Sequence, residues 1–452
     1  MLSAAGICNQ FYKTRESKNM SATVPGANLS LRPSMTRVIV AASIGNMLEW
    51  YDFIVYAIFA VPISHAFFPG KSDFTSLLET FITFGVGFLA RPLGAIIFGT
   101  YADRTGRRAA LTLTVLLMAF STLVIAACPT AATIGIAAPI LLVLARLLQG
   151  FSAGGEIGGA IALLIEYAPP SRKAFYSTFQ EVGQGGALLL CGLVATIVTT
   201  CFSKSQMNEW AWRIPFLFGL VIAPVGLYIR RHVPESEDFI AHKPEAARSL
   251  PIRSIFSEHR KALLIGIGLV VAGTVGSYVT LYIPTYASTV LKLPQSNAHI
   301  GLILVGIIVM MLSPAAGILA DRLGQKSVML FALVCLIVYP YPAFRYLTSH
   351  PSGGALIAVQ AVMALFLTIY AGPAFGFLAE LFPTTVRSTG IGLAYGLSVA
   401  ILGGFTPTIV SALVHSTGNQ LAVAFWLMAS AVMSAISLVA ARDRSQQNDR
   451  IT

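Results

Sequence analysis

Apolar runs of about 20 residues recur along the whole chain, and this pattern restricts the fold more than any other feature. In hydrocarbon such a run has no water to satisfy its backbone N–H and C=O groups, so it must close its hydrogen bonds within itself, as a helix. A transmembrane barrel would show alternating segments of about 10 residues, whereas these runs are continuous. Twelve helices are predicted, over 37–62, 76–101, 109–128, 134–167, 173–201, 210–230, 260–289, 297–319, 327–348, 354–381, 387–412 and 419–441. Only 11% of residues are charged, against roughly 25% in a soluble domain, so no soluble domain of useful size is left over. The expected class is an all-α polytopic membrane protein.

Two short motifs occur twice, in the same order. Gly99–Arg108 (GTYADRTGRR) returns as Gly317–Lys326 (GILADRLGQK), which places Asp103 and Asp321 218 residues apart. Glu166–Arg172 (EYAPPSR) returns as Glu380–Arg387 (ELFPTTVR), with the glutamates 214 apart. Two echoes at nearly one offset imply a duplicated half, the symmetry of a transporter built from repeats. The halves are expected at 37–230 and 260–441, as two pseudo-symmetric six-helix bundles. A charged central loop, 231–259, carrying Pro234, Pro244 and Pro251, divides them. Polar tails at 1–36 and 442–452 complete the chain, and the first has no apolar core of the kind a cleaved signal peptide needs.

A formal charge of +11 is compatible with nucleic-acid binding, but the basic residues cluster in alternate loops, which argues against it. With the N-terminus inside, 23 Lys and Arg fall on the inner side and 5 on the outer, which puts both termini and both repeated motifs in the cytoplasm. The five cysteines (Cys8, Cys128, Cys191, Cys201, Cys335) are scattered, an odd number, and suggest neither a disulfide framework nor a metal site. No cofactor is expected, and no nucleophile constellation or Walker loop points to an enzyme or an ATPase.

Each repeated loop joins two helices through a tight turn, for which Gly106 and Gly324 supply the freedom of positive φ. Asp103 and Asp321 lie where an acid favours a neighbouring helix N-terminus. Arg104, Arg107, Arg172, Arg322 and Arg387 can bridge to carboxylates such as Glu166 and Glu380. The expectation is a charge-relay latch within each half that holds the inner gate shut; a solvated turn is the alternative.

Charged groups inside the spans cost at least about 2.5–3.5 kcal/mol each on insertion scales, so each needs a reason. Arg91 and Arg146 lie near mid-membrane, where a guanidinium either pairs with an acid or meets an anion across a wet cavity. Glu49 and Asp52 share one helix face, and two carboxylates this close in a low-dielectric cavity make one a proton carrier. Glu156 lies on the face of Gln149 and is a third candidate for proton coupling. Gln149, Gln180 and Gln184 are candidate substrate ligands, although glutamine also serves as interhelical glue. Tyr278 and Tyr282, one turn apart, could close over substrate or form an aromatic packing face. Gly150, Gly154 and Gly158 recur every four residues, as in close-packed helices that can slide.

Asn46–Phe53 (NMLEWYDF), Arg91–Gly94 (RPLG), Arg146–Glu156 (RLLQGFSAGGE) and Trp210–Phe216 (WAWRIPF), with the doubled loops, resemble the metabolite:proton symporter branch of the major facilitator superfamily. The second loop departs from the family pattern, with Gln325 and Lys326 where a basic pair is usual, which implies a weaker second latch. The resemblance implies alternating-access uptake of a small organic acid with protons. Ile283–Tyr286 (IPTY) and Gly403–Pro407 (GGFTP) look most like citrate/tricarboxylate carriers, and Phe175–Gln180 (FYSTFQ) is also similar to α-ketoglutarate carriers. A proline/betaine symporter of the same fold, or a transporter-like receptor or channel, is the alternative. The implied setting is a bacterial-type inner membrane, with an organic anion and protons as partners, no nucleic acid, and a monomer.

Overall fold

The computed structural model describes residues 35–70, 72–105, 107–231 and 251–441; within the first motif loop, Gly106 and the side chains of Asp103, Arg104 and Arg107 lie outside the described set. The described chain is mostly helical: ten helices are long and apolar enough to cross a membrane, the bent α1 makes an eleventh, and α6 completes twelve helices. α1 is Ala42–Ile58 with Ala60–Phe67, α2 Asp73–Tyr101, α3 Ala109–Ala127, α4 Ala137–Glu166, α5 Pro170–Cys201 and α6 Ile214–Arg231. α7 is Arg260–Thr289, α8 Gln295–Leu323, α9 Gln325–Ser349, α10 Gly353–Glu380, α11 Arg387–Thr417 and α12 Ala422–Ala440. Apolar side chains cover the outside: Val221, Leu264 and Met311 are each about two-thirds exposed or more, a surface suited to lipid tails rather than water.

The duplication is visible in the packing. α1 packs on α5 and α6, α3 on α6 and α2 on α4; in the second half α7 packs on α11 and α12, α9 on α12 and α8 on α10. Each pair in one half has its counterpart in the other. The halves meet through α5 with α8, α2 with α11, α4 with α11 and α5 with α10.

Three spans are less regular than the hydropathy predicts. α1 bends by 67° at Phe59, because Pro62 has no N–H to donate to the carbonyl of Ile58 four residues back. α4 is interrupted between Gly154 and Ile157, which leaves Glu156 at the break. α11 contains a π-turn over Val399–Gly403, just before Pro407, and extends to Thr417 rather than ending at 412. Small residues set the closest approaches. A Cβ on Gly150 would run into the carbonyl of Gly87, and one on Gly154 into that of Arg91, so α2 and α4 touch backbone to backbone.

The halves are in contact at both ends. At the end that carries Asp321, called here the motif end, α4 and α11 meet where Gly158 faces Ser388. At the opposite end the rings of Phe74 and His415 stack at 3.7 Å. Between them Phe405 lies against Gly85, and Gly404 against Phe88.

Candidate functional site

Arg91 and Arg146 are 1% and 0% exposed, brought together because α2 and α4 cross on their glycines. Arg91 forms an ion pair with Glu49 of α1. Its guanidinium also lies 5.2 Å from the ring of Tyr395 in α11 and 5.7 Å from that of Phe53. Its Nε has no partner.

Arg146 makes a different set of contacts. Its Nη1 donates to Oε1 of Gln149 at 2.7 Å. Nε2 of Gln149 donates to Oγ1 of Thr122 in α3 at 2.9 Å, and that hydroxyl donates to Oδ2 of Asp52 at 2.6 Å. The rings of Tyr56, Phe84 and Phe53 surround the guanidinium at 4.4, 4.9 and 5.1 Å, a cation–π setting. Nε and Nη2 of Arg146 remain unpartnered.

Between the arginines, across the joint from the second half, stands Tyr278 of α7. Its ring packs against Phe88 at 5.3 Å, Phe84 at 5.8 Å and Trp50 at 5.9 Å. It lies within electrostatic reach of both guanidinium groups, and its hydroxyl has no partner. Four buried donor atoms thus lack partners on three side chains that share the ring of Phe88, where the halves meet. Each buried donor without an acceptor costs about 1–3 kcal/mol, more when charged. The arrangement is short of acceptors, and a carboxylate is the group that supplies them in pairs.

Glu49 and Asp52 share a helix face as expected, but each has its own partner, Arg91 and Thr122 respectively. Both border a cavity of about 30 Å³ inside the first half, together with Thr122 and Glu156, room for roughly two waters. Gln180 exchanges hydrogen bonds with Asn46 at 2.6 Å, which is the interhelical-glue reading of glutamine. Gln184 donates to Oγ of Ser277 across the joint at 3.0 Å. Tyr282 accepts from Ser411 and packs edge-on against Phe81 toward the opposite end. Tyr370 donates to the carbonyl of Leu269 and ties α10 to α7.

The second motif loop is described in full. Gly324 has φ of +90°, the conformation the motif reading requires of it. Oδ1 and Oδ2 of Asp321 accept from the backbone N–H groups of Ala174 and Phe175 at 2.9 and 3.0 Å. Those donors begin a helix of the first half, so the contact of Asp321 crosses the joint; the expectation of a latch within one half is corrected here. An acid at a helix N-terminus is held by unpaired N–H groups and the helix dipole, and Asp321 takes those of α5 rather than those of α9, which begins at Gln325. Lys326 donates to the carbonyl of Ala441 at 3.0 Å, so the unusual residue of the second loop ties the end of α12. Arg387 donates from Nε to the carbonyl of Ala379 at 3.1 Å, across the turn from Glu380. Arg172, Arg322 and Glu166 are exposed at this end.

Two residues of this region carried no role in the sequence reading. Thr122 is one of four hydroxyl residues in α3, with Thr112, Thr114 and Ser121, and nothing in its spacing points to Asp52. Glu181, 7% exposed on α5, lies on the helix face of Gln184 and within electrostatic reach of Tyr395. The rule that flags acids inside a span would have found it.

The fold and this buried, donor-rich joint between two repeated halves define a membrane transporter of the alternating-access kind. The chain belongs to the sugar (and other) transporter family of the major facilitator superfamily, whose model matches residues 38–253 and 244–441. It is 36% identical over 417 residues to a citrate-proton symporter of Klebsiella pneumoniae, covering 91% of each chain. It is 38% identical over 397 residues to a citrate-proton symporter of Salmonella typhi, covering 87% of this chain and 91% of the relative. A proline/betaine transporter of Escherichia coli is 34% identical over 426 residues, 91% of this chain and 84% of the relative. The xylose transporter XylE from Escherichia coli, solved in a partially occluded inward-open conformation, shares the fold with a TM-score of 0.72 at 17% identity, over 90% of this chain and 96% of that one.

Proposed function

We propose that this chain takes up a small organic acid together with protons, with citrate or another tricarboxylate first and a dicarboxylate such as α-ketoglutarate next. The observation that carries the reading is the set of unpartnered donors on Arg91, Arg146 and Tyr278, buried side chains around the ring of Phe88. Symporters of citrate among its relatives support the same substrate class.

In this reading Arg146 and Tyr278 hold one carboxylate, and Arg91 turns from Glu49 to hold a second. Glu49, Asp52 and Glu156, around their small cavity, carry the proton. The bundles 37–230 and 260–441 rock about this site, so it opens to one side at a time. The motif end faces the cytoplasm, as the bias of Lys and Arg implies, with both termini there and the chain in a bacterial inner membrane as a monomer. Asp321 on the N-terminus of α5 then helps to hold the inner gate shut. The proline/betaine alternative has one observation in its favour: Trp50, Phe84, Phe88 and Tyr278 form an aromatic wall of the kind that receives a quaternary ammonium. Two buried arginines beside that wall favour an anion.

The test is uptake into proteoliposomes under an imposed pH gradient, with citrate, α-ketoglutarate, phthalate, shikimate and betaine as candidates. Accumulation of an acid driven by the gradient is expected. Accumulation of betaine alone, or of an acid regardless of the gradient, refutes the reading.

A further inference from the structure

Three hydrogen bonds join the anion-binding arginine to an acid in another helix, and their direction is fixed by chemistry. Asp52, when ionised, only accepts, so the single proton of the Thr122 hydroxyl points to its Oδ2. Oγ1 of Thr122 then has only lone pairs for Gln149, which must present its amide N–H to it. The carbonyl of Gln149 is thereby turned toward Arg146 and occupies Nη1. Polarity runs one way along the chain, from Arg146 through Gln149 and Thr122 to Asp52.

We propose that Thr122 is a positioning residue that converts protonation of Asp52 into anion affinity at Arg146. A proton taken up on Oδ2 makes Asp52 the donor. The Thr122 hydroxyl accepts from it and turns its own proton toward Gln149. With that proton directed at it, the amide of Gln149 turns over, its carbonyl toward Thr122 and its N–H groups toward Arg146. Two donors now face each other, and neither has an acceptor. A carboxylate of the substrate satisfies both, so the protonated carrier binds the anion more tightly, and the bound anion holds the proton by the same factor. No bond other than O–H is made or broken.

Other ionisable groups facing Asp52 are Arg146 and Glu156 from α4, Cys191 from α5, and Glu49 and Tyr51 from α1. Glu49 is held by Arg91. Asp52 and Thr122 both line the small cavity of the first half, beside Glu49 and Glu156.

The proposal rests on the organic-acid reading, and its test separates the two. Citrate binding to the purified full chain in detergent is measured by calorimetry between pH 5.5 and 8, for wild type, Thr122→Val and Thr122→Ser. Citrate itself changes charge over this range, so each variant is compared with wild type at the same pH. The ratio of wild-type to Thr122→Val affinity is expected to rise about tenfold from pH 8 to pH 5.5, while Thr122→Ser follows wild type. A packing role alone would give a ratio that is the same at every pH. A flat ratio for Thr122→Val, or a Thr122→Ser variant that behaves like it, overturns the relay and leaves the functional reading standing. A wild-type chain that binds neither citrate nor α-ketoglutarate at any pH overturns both. Thr122→Ala supplies the same ratio should the valine variant fail to purify.

Discussion

Removing the carboxylate of Asp321 should loosen the motif end by an amount that can be worked out. Its two oxygens accept from Ala174 and Phe175 at 2.9 and 3.0 Å, across the joint between the halves. A hydrogen bond to a charged group is worth about 1.5–3 kcal/mol when buried. Asp321 is half-buried, and screening reduces each bond to about 1 kcal/mol. Asp321→Ala therefore shifts the balance between closed and open motif ends by about 2 kcal/mol, or roughly 30-fold at 1.4 kcal/mol per decade. Asp321→Asn keeps one acceptor oxygen without the charge and should lie between, at roughly fivefold. The assay places a cysteine at Ser388, which faces Gly158 across the closed end, in a background without Cys8, Cys201 and Cys335. Its rate of modification by a charged maleimide reports the open fraction. A rate for Asp321→Ala within twofold of the parent would refute the reasoning, as would an asparagine variant as open as the alanine one.

Three further outcomes are expected. Arg146→Lys keeps the charge but loses the planar fork, and should raise the KM for citrate uptake about 10- to 100-fold; an unchanged KM removes the carboxylate role of Arg146. Gly150→Ala should cost about 1–3 kcal/mol in thermal unfolding, because its methyl meets the carbonyl of Gly87. Gly159→Ala, whose nearest neighbour is Oγ of Ser388 at 4.0 Å, should be near neutral; equal effects for the two glycines would mean that backbone contact does not set the α2–α4 crossing. Glu181→Gln removes a buried carboxyl for which no cation partner is found among the described residues, and should raise the melting temperature by roughly 1–3 °C. A fall would show that the charge of Glu181 is compensated.

Local chemistry with a strong periodic or spacing signal was legible in the sequence. Twelve spans follow from the insolubility of peptide groups in hydrocarbon, and the duplication from two echoed loops. Arg91 and Arg146 announce themselves because a charge in an apolar run needs a reason. Partnership did not follow in the same way. The spacing of Glu49 and Asp52 suggests one coupled pair, yet α2 and α3 bring each a different partner. Which residue lies opposite depends on how helices rotate against one another, and a single sequence carries no record of that. Asp321 illustrates the same limit: its preference for a helix N-terminus is local chemistry, but the choice of α5 in the other half is tertiary. The bend in α1 was within reach, since Pro62 is visible in the run, whereas the π-turn of α11 has no comparable marker.

The seam between α5 and α8 has a dynamic consequence. A Cβ on Gly185 would lie 2.9 Å from the amide of Met310, one on Gly192 2.8 Å from Ile303, and one on Gly317 2.7 Å from the backbone of Phe175. The two helices therefore bear on each other largely through main chain at Gly185 and Gly317, with the side chain of Ile303 set against Gly192 between them. Such a surface works as a bearing: it can turn through several degrees without forcing a rotamer change, and it keeps its dispersion contacts as it turns. The free-energy difference between the inward- and outward-open forms is then concentrated in the few contacts at the ends. Turnover in such a machine can be retuned by single substitutions at its rims, while the axle between them stays as it is.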